Sequence, residues 1–368
     1  MDVERAAAIL RGKRWYGGEA VTGVRVLEPV GDVQHVLAEV HDGAGAYQLL
    51  VGPSGDDEVT APIVSERVLQ REVRTVRPLG AEQSNSSVVV DDEVLVKVFR
   101  KLQRGPNPDV EVQVALADVG FADVVAPIAT WQEDDWDLAI AVPFLGAVVD
   151  GWTVALGHDA DPTDLAAGIG ELTAGLHGAL AKAFGATPAA RAALVSTYVR
   201  ACADAQVPPT PITLGALQSL PDAGATTRVH GDYHLGQLLQ QPNGALPGQA
   251  AHRWYVIDFE GEPNRSLAER RAPAPPLKDL AGMLRSFAYA AVVGGHAEEW
   301  ERAAVGACQA AYLDDPSVAG LLPSDPEPVL DAYLLEKAVY ELAYERGFRP
   351  DWAWIPEKAV RELAGGSR

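Results

Sequence analysis

The chain has 368 residues and carries 51 acidic against 30 basic side chains, a net charge of −21. This length exceeds the size at which one hydrophobic core usually stops growing, so two or three substructures are expected. An apolar fraction of 48% excludes a disordered protein. The negative charge disfavours nucleic acid and acidic membrane surfaces as partners.

Two features bear on the cellular compartment. Cys202 and Cys308 are the only cysteines, too few for a disulfide scaffold and consistent with a reducing environment. The acidic start "MDVERAAAIL" has no signal-peptide pattern, and no run of about 20 apolar residues occurs elsewhere. These observations predict a cytoplasmic protein without a membrane span, and they leave its oligomeric state open.

The first 150 residues read as two β-rich parts. Residues 1–75 begin with a short helical piece and continue as alternating apolar runs broken by Gly and Asp. In residues 76–150, "VRTVRPLGAEQSNSSVVVDDEVLVKVFR" predicts a hairpin joined at "DDE", with Lys97 on its second strand. A helix follows, with Asn107 and Asp109 as capping candidates and Glu111 in its first turn.

Residues 151–368 change to Ala- and Leu-rich runs with helical spacing, such as "DLAAGIGELTAGLHGALAKAF" and "VLDAYLLEKAVYELAYERGF". Inside this part only "QLLQQ" and "RWYVIDFEG" read as strands. The C-terminal part is therefore predicted to be mainly helical.

The stretch "TTRVHGDYHLGQLLQ" places His230, Asp232 and His234 at alternate positions. Along the chain the order is a strand Lys, a helix Glu, this HxD loop, and an apolar strand that ends in Asp258. Phosphoryl transfer from a nucleotide requires a cation on the donor phosphates, an acidic group at the acceptor hydroxyl and oxygen ligands for Mg²⁺. The order and the residue types therefore favour a kinase.

The motifs "VHGDYHLGQLL" and "WYVIDFEGEP", with "EQSNSSVVV" and "VLVKVF" upstream, resemble the aminoglycoside phosphotransferase-like branch of the protein-kinase-like fold. Within it, "HLGQLL", "IDFEGEP" and "EKAVYELAYERGFRPDWAWIP" are similar to bacterial maltokinases and actinobacterial glucosamine kinases. The resemblance implies an α+β bilobal fold. It would comprise a cap module at 1–75, a small nucleotide-binding lobe at 76–150 and a helical lobe at 151–368 that holds the catalytic loop and sugar site.

The resemblance also implies ATP and Mg²⁺ as cofactors and a small sugar as substrate. Asp232 would orient the sugar hydroxyl and accept its proton. Asp258 would be the main Mg²⁺ ligand, assisted by Glu260 and by Gln237, which stands where this family usually has Asn.

The donor phosphates would lie against the strand lysine, Lys97, held in place by Glu111. The loop "AEQSNSS" occupies the place of a Gly-rich phosphate loop but lacks the glycines. Three polar side chains in it could still bind phosphate: Ser84, Asn85 and Ser86.

Two further residues are expected to support the loop. His230 should pack and hydrogen-bond to hold it, and Asp279 should accept hydrogen bonds from its backbone N–H groups. A metal hydrolase with His230, Asp232 and His234 as ligands is an alternative that would need further ligands, because the other histidines are scattered. A catalytically silent kinase-like module is a second alternative, disfavoured because Lys97, Asp232 and Asp258 are all present.

The tail combines carboxylates with aromatic rings, the residue types that grip a sugar. The sugar-binding candidates are His234, Glu336, Tyr340, Glu341, Tyr344, Glu345, Trp352 and Trp354. Overall acidity and the acid-rich tail favour glucosamine as acceptor, giving glucosamine 6-phosphate. Maltose, giving maltose 1-phosphate, and then an aminoglycoside are the alternatives.

Overall fold

Residue contacts in the computed structural model, which describes residues 1–80, 84–242, 252–262 and 265–365, divide the chain into two units. One unit comprises residues 1–117 and 125–147, and the other comprises 118–124 and 148–368. The predicted division into three parts, with boundaries at residues 75 and 150, stays a prediction.

The N-terminal unit is rich in strands that form two antiparallel sheets, with strand orders β1-β2-β3-β7 and β4-β5-β6-β9-β8. Its elements in chain order are α1 (Val3–Leu10), β1 (Val21–Val26), β2 (Gln34–Val40), β3 (Gly45–Val51), α2 (Ala61–Ile63), β4 (Val76–Pro78), β5 (Asn85–Val90), β6 (Val94–Phe99), β7 (Lys101–Gln103), α3 (Pro108–Asp118), β8 (Ala129–Glu133) and β9 (Trp136–Pro143).

The predicted hairpin is formed by β5 and β6, and it lies inside the five-stranded sheet. Asp91 and Asp92, in the turn between the strands, both have positive φ, the conformation that the tightest hairpin turns require. Alternate residues of β6, Val96 and Val98, are fully buried, whereas Lys97 between them is only partly buried. The alternation that predicted this strand therefore also places Lys97 on its opposite face.

A buried arginine ties the two sheets of this unit together. Arg100 Nη1 donates to Asp57 Oδ1 at 2.9 Å and to the Gln48 carbonyl oxygen at 3.1 Å, and both charged side chains are 1% exposed. Lys13 adds a second cation, 3.1 Å from Asp57 Oδ2. Removing one partner of this buried pair would leave an uncompensated charge, so the cluster stabilises the packing of β3 against β5.

The C-terminal unit is mainly helical, as predicted. Its elements in chain order are β10 (Val149–Asp150), α4 (Gly151–Leu156), α5 (Thr163–Phe184), β11 (Thr187–Pro188), α6 (Arg191–Asp204), α7 (Pro211–Ser219), β12 (Ala225–Thr226), β13 (Leu238–Pro242), β14 (His252–Val256), α8 (Leu267–Arg271), α9 (Leu277–Gly294), α10 (Glu298–Asp314), α11 (Glu327–Phe348) and α12 (Trp354–Gly365).

The two predicted strand pieces of this unit pair as β13 and β14, with Leu238 opposite Val256. The second is shorter than predicted, because it ends at Val256 and the chain turns immediately afterwards, with Asp258 in the left-handed region at a φ of 65°. The loop between these strands, residues 243–251, lies outside the described residues. The early strand end leaves Asp258 at the start of a turn.

Helix α9 is the centre of the unit. Nearly every residue from Leu277 to Ala291 is buried, including the polar Asp279, Arg285 and Ser286. Buried polar side chains are normally hydrogen-bonded. The hydrogen bonds of these three side chains connect α9 to the site described below. Among the helices that the structure describes, none is long and apolar enough to cross a membrane.

Helices α5 and α10 pack closely because α5 has a glycine at the contact. A Cβ built on Gly170 would clash with the backbone carbonyl of Cys308, whereas a Cβ on Gly168 of the same helix meets no atom within 4 Å.

We expect Gly170→Ala to lower the free energy of unfolding by about 1–3 kcal/mol, because overpacking forces the backbones apart. The matched variant Gly168→Ala should be neutral or stabilising by up to about 1 kcal/mol, because Ala favours a helix interior. Urea unfolding monitored by circular dichroism measures both values. Equal effects of the two variants would contradict the close packing.

Candidate active site

The loop between β12 and β13 carries the HxD motif, and Asp279 of α9 holds its backbone. Asp279 Oδ2 accepts a hydrogen bond from the His230 backbone N–H at 2.7 Å, and Oδ1 accepts one from Gly231 at 3.0 Å. The close approach requires a glycine, because a Cβ on Gly282 of α9 would lie 2.5 Å from the Tyr233 carbonyl oxygen. The structure thus agrees with the predicted support by Asp279.

A second layer of hydrogen bonds holds Asp279 itself. His177 of α5 lies with Nε2 3.2 Å from Asp279 Oδ2 and Nδ1 2.8 Å from the Tyr312 hydroxyl of α10. Burial alone raises the pKa of Asp279, but the hydrogen bonds and the nearby imidazoles of His177 and His230 outweigh it and lower the pKa below its ordinary value. The carboxylate therefore stays ionised at neutral pH as an acceptor for the loop.

His230 holds the loop with both ring nitrogens. Its Nε2 lies 2.9 Å from the Ile257 carbonyl oxygen, and its Nδ1 accepts from the Asp232 backbone N–H at 3.4 Å. The ring also packs against Phe259, with centroids 4.9 Å apart. Since neither nitrogen is left for a metal ion, this geometry does not fit the metal-hydrolase alternative.

Asp232 projects from this loop next to a lysine that the sequence analysis did not single out. Lys337 Nζ of α11 lies 3.4 Å from Asp232 Oδ1 and 3.1 Å from Glu262 Oε1. The Asp232 side chain is 25% exposed, so it remains reachable from solvent while paired. No spacing in the sequence indicates these contacts, because Lys337 and Asp232 are 105 positions apart.

The structure brings Asp258 and Glu260 together with the catalytic loop. A carboxylate oxygen of Asp258 and one of Glu260 lie within 4.8 Å of each other. The Gln237 amide nitrogen is 3.4 Å from Asp258 Oδ2 and 3.4 Å from His234 Nε2. The three predicted metal ligands are thus clustered around Asp258.

Asp232 and Asp258 both lie close enough to His234 to influence its imidazole ring. Burial lowers the pKa of the His234 imidazole below its ordinary value, and the charges of Asp232 and Asp258 partly oppose this shift. Its Nδ1 accepts from the Gly236 backbone N–H at 3.1 Å. The two carboxylates, 26 positions apart in the sequence, therefore act electrostatically on one neutral ring.

In the N-terminal unit, Lys97 pairs with a buried acid. Lys97 Nζ donates to Asp109 Oδ2 at 2.9 Å, and Asp109 Oδ1 accepts from Gln113 Nε2 at 2.8 Å. The capping residue is Asn107, whose Oδ1 accepts from the Asp109 backbone N–H at 2.8 Å. Asp109 thus lies inside the first turn of α3 instead of capping it, which corrects one of the two capping candidates.

Glu111, the predicted partner of Lys97, lies in the first turn of α3. Burial is the largest cause that raises the pKa of the Asp137 carboxyl, and the negative charge of Glu111 raises it further. The pairing of Glu111 with Lys97 stays a prediction. The structure places Asp109 within 2.9 Å of Lys97 Nζ.

The predicted phosphate loop is partly replaced by a strand. Asn85 and Ser86 belong to β5, whereas the sequence analysis placed them in a loop with Ser84. Ser86 is 3% exposed, and its Oγ accepts from Arg100 Nε at 2.8 Å. The physical reason is the buried Arg100, which needs an acceptor at this point of the sheet. Residues 81–83 lie outside the described part of the chain.

A cavity of about 370 Å³ opens beside the catalytic loop within the C-terminal unit. Its lining combines aromatic rings with acids and bases: Asp150, Trp152, His234, Gly236, Gly282, Ser286, Tyr289, Lys337, Tyr340, Glu341, Tyr344, Glu345, Arg349 and Trp352. Six of the eight sugar-binding candidates belong to this lining.

Glu336 and Trp354 do not line the cavity. Glu336 borders a smaller pocket with Arg265 and Tyr333. Trp354 is 51% exposed and starts α12, after the chain has turned at Pro350–Trp352. Because Trp354 lies after the end of α11, the residue spacing along α11 does not bring it to the cavity.

The two glutamates of the cavity are held by arginines. Glu341 Oε2 accepts from Arg285 Nε at 2.9 Å and Nη2 at 2.8 Å, and its Oε1 accepts no hydrogen bond from the described residues. Glu345 Oε1 accepts from Arg349 Nη2 at 2.6 Å, whereas Glu345 Oε2 is buried without a partner among the described residues. Each carboxylate therefore has one oxygen that accepts no hydrogen bond from the described residues.

A loop carboxylate, a cluster of metal-type ligands and a lysine–aspartate pair on a β-sheet define a phosphotransferase. The model of the Phosphotransferase enzyme family matches residues 75–316, about two thirds of the chain, and the chain belongs to this family. The predicted family and enzyme class are thereby confirmed.

Known proteins extend the comparison. The chain is 30% identical over 332 residues to a glucosamine kinase of Mycolicibacterium smegmatis, covering 79% of this chain and 80% of that protein. A glucosamine kinase of Streptacidiphilus jiangxiensis is 29% identical over 334 residues, covering 78% and 73%. A solved structure of a glucosamine kinase with glucosamine, ADP and inorganic phosphate superposes with a TM-score of 0.71 at 23% identity, covering 98% of both chains. This likeness confirms the kinase-like fold.

We expect Asp279→Ala to lower the free energy of unfolding by about 3 kcal/mol or more, because it leaves buried donors without their acceptor. Hydrogen exchange of the peptide that contains His230 and Gly231 should accelerate more than that of α10. The control Asp314→Ala, at the exposed end of α10, should change stability by less than about 0.5 kcal/mol. Unchanged exchange in the loop would contradict the anchoring role.

Proposed function

We propose that the protein is an ATP-dependent sugar kinase that transfers the γ-phosphate of ATP to glucosamine and forms glucosamine 6-phosphate. The observation that carries the proposal is the cavity beside Asp232, with rings, hydroxyls and acids in one lining. Aromatic faces suit the apolar side of a sugar ring, and carboxylates suit its hydroxyl groups. The cavity volume lies in the range of small-molecule sites.

The charge of the cavity supports an amino sugar over maltose. An ammonium group is a strong donor to carboxylates, and Glu341 Oε1 accepts no hydrogen bond from the described residues. Arg285 fixes the other oxygen, so the carboxylate is held in one orientation before the substrate arrives. The glucosamine kinases among the relatives agree with this choice.

The residues of the loop divide the chemistry between them. Asp232 would accept a hydrogen bond from the attacking sugar hydroxyl, orient it and take its proton as the bond to phosphorus forms. His230 and Asp279 would hold the backbone under Asp232. Because orientation of the hydroxyl is the main requirement in phosphoryl transfer, these supports contribute to the rate without contacting the sugar.

Two sets of residues would bind the donor. Lys97, oriented by Asp109, would bind the α- and β-phosphates, with Ser84, Asn85 and Glu111 as further predicted contributors. Asp258 and Glu260 fit Mg²⁺, because paired carboxylates are the ligands this ion prefers and their oxygens lie within 4.8 Å. When bound, the ion would neutralise charge on the donor phosphates. Ligation by the Gln237 oxygen would need its amide, which presents nitrogen to Asp258, to turn over.

The test is ADP release by the purified chain with Mg·ATP and a panel of glucosamine, maltose, glucose and kanamycin. Glucosamine should give the highest kcat/KM. A preference for maltose or kanamycin would replace the proposed acceptor but keep the phosphotransferase.

We expect Asp232→Asn to fold normally and to lower kcat by about 10²–10⁴-fold, because the variant cannot accept the hydroxyl proton. The KM for ATP should change by less than about threefold, because Asp232 acts on the acceptor. Steady-state kinetics and circular dichroism measure both. Wild-type turnover in this variant would remove Asp232 from its proposed role.

We expect Glu341→Gln to lower kcat/KM for glucosamine by about 10–100-fold, because it removes the charge that pairs with the ammonium. The value for glucose, which lacks the amine, should change by less than about threefold. The matched control is Glu336→Gln, on the same helix but outside the cavity. Equal losses for both sugars would argue for a structural role of Glu341.

A further inference from the structure

Lys337 of α11 is a buried cation that joins two carboxylates of different segments. Its Nζ lies 3.4 Å from Asp232 Oδ1 on the catalytic loop and 3.1 Å from Glu262 Oε1 after β14. The Lys337 side chain is 17% exposed and that of Glu262 only 4%. Because water screens these charges little, the interactions are stronger than those of a surface ion pair.

Glu262 is a fixed point in this arrangement. Its second oxygen, Oε2, accepts from Arg265 Nε at 3.2 Å, so the carboxylate is held from both ends. The Lys337 ammonium also lies 4.9 Å from the centre of the Tyr340 ring, which limits its movement along α11. Asp232, by contrast, has Lys337 as its one ion-pair partner among the described residues.

The surroundings of Lys337 favour its charged form. Burial alone lowers the pKa of Lys337, but the charges of Asp232, Glu262 and Glu341 outweigh it and raise the pKa above its ordinary value. Without the ammonium, Asp232 and Glu262 would face each other as like charges in a poorly solvated space. Their repulsion would push the Asp232 side chain, which has only Lys337 as an ion-pair partner among the described residues, away from its position.

On the basis of the proposed function, we propose that Lys337 is a positioning residue that clamps Asp232 against Glu262 in the orientation needed for phosphoryl transfer. Lys337 also lines the 370 Å³ cavity. The same side chain therefore connects the wall of the acceptor cavity with the catalytic carboxylate, and Glu262 is the anchor through which it acts.

The test is a double-mutant cycle with Lys337→Met, Glu262→Gln and the combined variant, together with Lys337→Arg. Lys337→Met should lower kcat by about 100-fold, whereas the KM for ATP should change by less than about threefold. Adding Glu262→Gln should restore kcat by about tenfold, because it removes the repelling charge. Lys337→Arg should retain at least about a tenth of kcat, because it keeps the charge.

Lys358→Met serves as the matched control, since Lys358 is about half exposed on α12 and, within the described part of the chain, makes only surface ion pairs. It should leave kcat unchanged. Independent, multiplicative losses of kcat in the folded combined variant would overturn the proposal, because removing the repelling charge of Glu262 would then not return Asp232 to its position. If Lys337→Met does not fold, an inactive but folded Lys337→Arg would overturn it equally.

The acceptor panel separates this inference from the proposed function. If the wild-type chain prefers another acceptor, the proposed substrate is wrong, and the cycle is measured with that acceptor. Rescue by Glu262→Gln would then still support the clamp, and no rescue would refute it. A wild-type chain that phosphorylates no acceptor would overturn both proposals.

Discussion

One buried carboxylate sets the geometry on which the site depends. Asp279 accepts hydrogen bonds from two successive backbone N–H groups of the catalytic loop and faces His177 on a third side. An ionised group that far from water persists only when its oxygens are satisfied. The loop backbone therefore has little freedom to move without breaking several bonds at once, and α9 holds the backbone from which the Asp232 side chain projects.

Much of the fold could be predicted from local patterns in the sequence. Alternating apolar residues predicted β5 and β6, and the two aspartates at their turn adopt the positive φ that a tight hairpin needs. Helical spacing predicted α5 and α11 to within a few residues of their observed ends. Such features depend on neighbours within a few positions, and a sequence displays those neighbours directly.

Partners that are distant in the chain were not predictable in this way. Nothing in the spacing pairs Lys337 with Asp232 and Glu262, and a first-turn acid of α3 reads equally as a response to the helix dipole or as the partner of Lys97. The extension of β5 back to Asn85 and Ser86 was also missed, because the acceptor at Ser86 is required by Arg100, 14 positions later. Side-chain pairing across elements is a property of packing, which periodicity does not encode.

In the proposed function, helix α11 supplies much of the surface that would bind the acceptor. Tyr340, Glu341, Tyr344 and Glu345 all reach the cavity from this one element, whereas the backbone of the loop that bears Asp232 is secured by α5, α9 and α10. Substitutions along a few turns of a single helix could thus redraw which alcohol is accepted while the bonds under the loop stay intact. Divergence of acceptor range among relatives would then follow the face of one helix, with the catalytic framework inherited unchanged.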